Sequence, residues 1–132
     1  MRILIVDDDY VSRSQIKALM SKYGDCDSAP TGVIAMDLFE IAHREEMPYD
    51  LISLDVDMPG LGGHGVVMRI RDFEEGRSIT RSGGKAVKIL MVSALKDSDN
   101  VMSSFREGCE GYILKPVTPS KLAEAFVRFD LA

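Results

Sequence analysis

The 132-residue chain has only two cysteines, Cys26 and Cys109, too far apart to form a Cys-x-x-Cys pair. That leaves no basis for a disulfide framework or a thiolate zinc site, and free thiols suit a reducing compartment. No apolar run approaches the roughly 18 residues of a membrane span. The chain starts with Ile3-Leu4-Ile5-Val6 and then Asp7-Asp8-Asp9, which is no signal-peptide core. Basic residues are in the minority, 16 Lys and Arg against 21 Asp and Glu, and the net charge of −5 argues against nucleic-acid binding through a basic face. No linker, repeat or low-complexity tract divides the chain. The expectation is one soluble, cytoplasmic domain over residues 1–132, large enough for a core of its own and touching neither membrane nor nucleic acid.

What is present is an alternation. Ile3–Val6, Cys26–Ala29, Leu51–Leu54, Val87–Val92 and Gly111–Leu114 are short, mostly apolar runs that predict strands. Between them apolar residues recur at helical spacing. The first set is Val11, Ile16, Leu19, Met20 and Tyr23, with Gly24 as a stop. Thr31 caps a second set, Ile34, Ala35, Leu38, Phe39 and Ala42, ended by Pro48. A third, Val66, Val67, Ile70 and Phe73, stops before Gly76, and a polar surface loop follows over 77–85. Asp97 or Ser98 caps a fourth with Val101, Met102 and Phe105, ended by Gly108. Thr118-Pro119 opens the last, with Leu122, Ala125, Phe126 and Phe129. Five strand–helix alternations predict an α/β fold, a doubly wound five-stranded parallel sheet covered on both faces.

Such sheets bind ligands beyond the carboxyl ends of their strands. The first strand delivers Asp7 and Asp8 there, the third Asp55, the fourth Ser93 and the fifth Lys115-Pro116. The stretch after the third strand, Leu54-Asp55-Val56-Asp57-Met58-Pro59-Gly60-Leu61-Gly62-Gly63-His64-Gly65, permits two readings. Gly60, Gly62 and Gly65 fall on G-x-G-x-x-G, a dinucleotide or flavin-type phosphate cradle. That motif needs its first glycine in the turn leaving the strand, whereas five residues intervene, and the acidic ribose ligand after the next strand is replaced by Ser93. These glycines therefore read as turn residues that need positive φ.

The carboxylates carry a physical demand. Two of them ~5 Å apart repel by ~3 kcal/mol at an effective dielectric of about 20, and three are worse. A cation must offset that, and Mg²⁺ (or Mn²⁺) fits an oxygen-only set completed by water and phosphate oxygens. Lys115 can meet one phosphoryl oxygen and Ser93 donate to another, which makes a site for phosphoryl transfer onto a carboxylate.

Ile3-Leu4-Ile5-Val6-Asp7-Asp8, Leu54-Asp55 followed by Met58-Pro59-Gly60, Val92-Ser93-Ala94, Tyr112 and Lys115-Pro116 resemble, in order and on the right strands, the receiver domain of two-component response regulators. The resemblance covers the whole chain and implies a stand-alone, chemotaxis-type regulator. It further implies a flavodoxin-like fold with strand order 2-1-3-4-5. Asp55 would be the phosphoryl acceptor, with Mg²⁺ held by Asp7, Asp8, Asp55 and the backbone carbonyl of Asp57. Ser93 and Lys115 would bind phosphoryl oxygens, Ser93 and Tyr112 would move on phosphorylation, and the Lys115–Pro116 bond would be cis. Small Ala94 would leave the acceptor reachable. The implied partners are a sensor histidine kinase or phosphotransfer protein and a downstream protein target. The target would meet the face made by the fourth predicted helix, the fifth strand and the last helix, with the chain a monomer or a phosphorylation-dependent dimer. Such a domain is a regulatory phosphoacceptor that promotes only its own phosphotransfer and dephosphorylation. Gly62-Gly63, where the family often has Asp-Gly, is expected to loosen the turn into the third helix.

Other readings stand beside these. Asp55-x-Asp57 also resembles the nucleophile and acid pair of haloacid-dehalogenase-type phosphatases, although there the motif follows the first strand and later acidic motifs are needed. Asp9 reads as a helix start, His64 as a solvated turn residue, and His43 as part of a polar helix face. Tyr112 is open between packing and switching. Cys109 reads as a small buried hydrophobe, and Met20, Met36, Met68, Met91 and Met102 as core.

Overall fold

The computed structural model describes residues 1–80, 83–94 and 108–131. Within them the chain runs β1 (Arg2–Val6), α1 (Tyr10–Met20), β2 (Asp25–Ala29), α2 (Gly32–Arg44), β3 (Leu51–Asp55), α3 (Gly63–Gly76), β4 (Lys88–Ser93), β5 (Gly111–Leu114) and α4 (Pro119–Arg128). The fourth predicted helix, with Asp97, Ser98, Val101, Met102 and Phe105, lies outside the described residues, as do 81 and 82 of the predicted loop.

All neighbouring strands are parallel, in the order β2-β1-β3-β4-β5. Strand side chains alternate between faces, so one sheet makes two cores. Leu4, Val6, Ile52, Leu54, Ile89 and Met91 pack with Phe39 of α2 and Val66, Val67 and Ile70 of α3. Ile3, Ile5, Leu51, Leu90, Val92 and Ile113 pack with Ile16 and Met20 of α1 and Leu122 and Phe126 of α4. Burying one such side chain contributes ~1.5–3 kcal/mol. Tyr23 stacks on Phe126 with ring centroids 3.9 Å apart, which ties the turn after α1 to α4.

The helix starts follow from their caps. Asp9 accepts from Val11 N at 3.2 Å, Thr31 from Ile34 N at 3.1 Å, and Thr118 from Lys121 N at 3.2 Å with Pro119 in the first turn. Helix α3 has no side-chain cap at Gly62. At Gly63 a Cβ would lie 2.7 Å from the Asp55 carbonyl oxygen, so glycine lets α3 begin against the end of β3.

Several expectations need correction. Of Gly60, Gly62 and Gly65, only Gly60 has positive φ, at 72°; Gly62 precedes α3 and Gly65 lies within it. Helix α1 ends at Met20, not at Gly24, with the Ser21 hydroxyl donating to Lys17 O at 2.7 Å. Helix α3 includes Gly76 rather than stopping before it. Val11, Ile34 and Met68 sit on the right helices but are 58%, 41% and 55% exposed, because helical geometry turns each to the outward side, away from its helix's buried residues. His43 is not simply polar surface. Its ring meets Phe39 and Phe73 at 4.9 and 5.1 Å, and burial first, then the Arg77 guanidinium, hold its pKa below the usual value. No helix among the described residues is long and apolar enough to cross a membrane.

Candidate phosphoryl-acceptor site

The site grows out of the carboxyl ends of β1, β3, β4 and β5. Asp7 directly follows β1, Asp55 ends β3, Ser93 ends β4 and Lys115 directly follows β5. Parallel pairing puts these ends level, with Val6 opposite Leu54, Asp55 opposite Val92 and Ser93 opposite Leu114.

Asp7 is fully buried and Asp55 nearly so, whereas Asp8 is exposed. One carboxylate oxygen from each lies within 4.8 Å of the others. Lys115 Nζ stands 3.2 Å from Asp7 Oδ2 and 3.6 Å from Asp55 Oδ2. Asp7 is fixed further by the Ser12 hydroxyl donating to Oδ2 at 2.7 Å and by Asp9 N donating to Oδ1 at 2.9 Å. Arg13 Nη1 donates to the Asp7 carbonyl at 2.8 Å. Asp57 N donates to Asp55 Oδ1 at 3.1 Å, which sets the acceptor carboxylate with Oδ2 toward Lys115. The Lys115–Pro116 peptide bond is cis.

Electrostatics follow from this crowding. Burial pushes the Asp55 carboxyl up to about 6; the Asp57 N–H and Lys115 pull it down, and Asp7 adds to the rise. Burial works against the Lys115 charge, but Asp55 and Asp7 outweigh it and raise its pKa. Among the described residues three carboxylates face one ammonium, so these groups together are short of positive charge. The cluster's donors are hard oxygens, the set that suits a small divalent cation.

Of the residues expected at the site, Asp7, Asp8, Asp55 and Lys115 come together, and Ser93 closes the next strand, buried. The Asp57 side chain is exposed, with only its backbone bonded to the acceptor. Tyr112 is 38% exposed, so it is not plain core packing. Asp9 is the cap of α1. Cys109 is buried in the core. Ser12 and Arg13 went unread in the sequence. The available signal was position: they sit in the first turns of a helix whose cap adjoins Asp7, and side chains there lean back toward the helix start.

Known proteins point the same way. The response regulator receiver domain model matches residues 3–127. The probable transcriptional regulator ycf27 of Guillardia theta is 33% identical over 128 residues, covering 96% of this chain and 44% of that protein. Chemotaxis protein CheY-3 of Vibrio cholerae is 29% identical over 126 residues, 94% of this chain and 87% of that one. The co-crystal structure of the Saccharomyces cerevisiae histidine phosphotransfer signaling protein Ypd1 and the receiver domain of its downstream response regulator Ssk1 matches with a TM-score of 0.79 at 25% identity, over 95% of this chain and 85% of that chain. The chain spans less than half the length of the ycf27 relatives. A parallel sheet of this order, a crowded acidic edge facing Lys115, and a family match across nearly its whole length establish that the chain belongs to the response regulator receiver domain family.

Proposed function

We propose that Asp55 accepts a phosphoryl group from the phosphohistidine of a sensor kinase or phosphotransfer protein, and that the modified domain switches a protein contact. The observation that carries this reading is the grouping of Asp55 with Asp7, Asp8 and Lys115 at the carboxyl edge. The pairing of Ypd1 with the receiver domain of Ssk1 in a related structure supports a phosphotransfer partner.

In this mechanism an Asp55 carboxylate oxygen attacks phosphorus. The new O–P bond forms as the donor's P–N bond breaks, and the imidazole leaves with that electron pair. Lys115 binds one phosphoryl oxygen as charge builds on it, and Ser93 donates to another. Asp57 N–H holds the nucleophilic carboxylate in place. Asp7, Asp8, Asp55 and the Asp57 carbonyl would hold Mg²⁺ (or Mn²⁺), which when bound neutralises the carboxylates and the phosphoryl oxygens. Water later attacks the same phosphorus and returns Asp55, so the domain dephosphorylates itself without turning over a substrate. The setting proposed is the cytoplasm. Output is proposed to leave through β5 and α4, together with the helix predicted after Ser93, because Ser93 and Tyr112 flank that face.

The test is incubation with acetyl phosphate and Mg²⁺, followed by intact-mass measurement. A single phosphoryl adduct on the wild type that is lost in Asp55→Asn is the expected result. Labelling of Asp55→Asn at another residue overturns the assignment, and rapid multiple turnover would favour a phosphatase.

A further inference from the structure

A second cluster of charge lies at the opposite, entry end of the sheet. Arg71, on α3, sends Nε and Nη2 to Gly108 O at 3.0 and 2.8 Å, and Nη2 to the Glu110 carboxylate at 2.8 and 3.2 Å. Its Nη1 reaches Glu74 Oε1 at 2.6 Å and Val87 O at 2.9 Å. Both glutamates also grip the backbone at the start of β4: Glu74 accepts from Val87 N, just before the strand, at 2.8 Å and Glu110 from Ile89 N at 2.7 Å. One guanidinium thus brackets the entries of β4 and β5, and Glu74 is buried.

Strand β5 needs such a bracket. It has four residues, pairs with β4 alone among the described strands, and buries only Ile113 in the apolar core. A parallel strand has no hairpin turn to set its register. Beyond its four-residue ladder with β4, the register is held at both ends: by Glu110 and Ile89 at the entry, and by Lys115 N bonded to Ser93 O at 2.8 Å at the exit. The Lys115 side chain that meets Asp7 and Asp55 starts from that exit. A shift of one residue would move it by ~3.3 Å, out of reach of both carboxylates.

We infer that Arg71, acting with Glu110 and Glu74, is a positioning residue for phosphoryl transfer: it registers β5 on β4 and so places the Lys115 ammonium at Asp55. This rests on Asp55 being the acceptor. Mg²⁺ would be held from the ends of β1 and β3 and owes nothing to β5, so the two functions separate.

The experiment uses Arg71→Lys, which keeps a cation between the glutamates but loses the planar fork, and Glu110→Gln, which keeps the shape. Both are compared with Lys115→Met and with each combined double variant, well below melting. The expected result is phosphorylation by acetyl phosphate about tenfold slower, with the Mg²⁺ titration midpoint unmoved. Amide exchange should quicken in residues 111–114 but not in 51–55. Each double variant should be no slower than Lys115→Met alone, the signature of action through one group. Wild-type rates in both single variants, or full additivity with Lys115→Met, overturn the inference. Absence of any adduct on the wild type would instead strike the acceptor reading on which it rests.

Discussion

The two ends of the sheet solve the problem of buried charge in opposite ways. At the entry end Arg71 lies between Glu74 and Glu110, and each glutamate also accepts a backbone N–H, from Val87 just before β4 and from Ile89 within it. Backbone dipoles there supply the positive charge that a lone arginine lacks. At the carboxyl end Asp7, Asp8 and Asp55 crowd Lys115, and burial first, then Asp7, raise the Asp55 carboxyl. Among the described residues the first arrangement carries its own compensation, whereas the second sets three carboxylates against one ammonium, the deficit a cation or a phosphoryl group is proposed to meet. Compensation marks a structural cluster, and a deficit marks a binding one.

The comparison breaks most visibly at the entry end. Arg71→Ala leaves two carboxylates without their cation and should cost about 3–5 kcal/mol in urea unfolding. Removing a carboxylate at the other end, as in Asp8→Ala, should leave metal-free stability unchanged or raise it. Equal losses in the two variants would show that the ends are alike.

Acidity should separate them next. The Asp55 carboxyl in the fold is pushed up from the ordinary 3.8 to about 6. The folded state therefore keeps a proton that the unfolded chain has already released. Its contribution is present below pH ~4 and lost as pH rises through ~6. In chelator, wild type should lose stability relative to Asp55→Asn between those values, by at most about 3 kcal/mol. Parallel pH profiles of the two proteins would mean that Asp55 is not the strained group.

Mg²⁺ should act on the deficient end alone. At 100 times its dissociation constant it should add ~2.7 kcal/mol to wild type and far less to Asp8→Ala. The same rise in melting temperature for both would move the metal elsewhere.

The smallest effect concerns Asp57, whose exposed carboxylate stands beside a backbone N–H bonded to the acceptor. Asp57→Asn should lengthen the life of the phosphorylated state several-fold, about 1 kcal/mol in barrier, with the fold unchanged. Adduct decay after removal of the donor measures it. An unchanged half-life would leave only the Asp57 backbone with a role.

The sequence by itself determined the alternation of strands and helices, the caps at Asp9, Thr31 and Thr118, and which residues stand at the carboxyl edge. The reason is local: a buried parallel strand is a short apolar run, and the residue that ends it emerges where ligands bind. Asp7, Asp55, Ser93 and Lys115 are legible on that ground alone. Apolar residue type marks a helix but does not tell which side of it is covered: Val11, Ile34 and Met68 stand on the outward side of their helices. His43 looks like any polar helix residue until Phe73, thirty positions on, is packed against it. Arg71, Glu74 and Glu110 carry no sequence signal either. Their bonds run to Val87, Ile89 and Gly108, and only the folded chain brings those backbone groups within reach. Tertiary structure decided where charge is compensated and where it is left wanting, because a buried charge is stabilised by whatever distant groups the fold happens to aim at it.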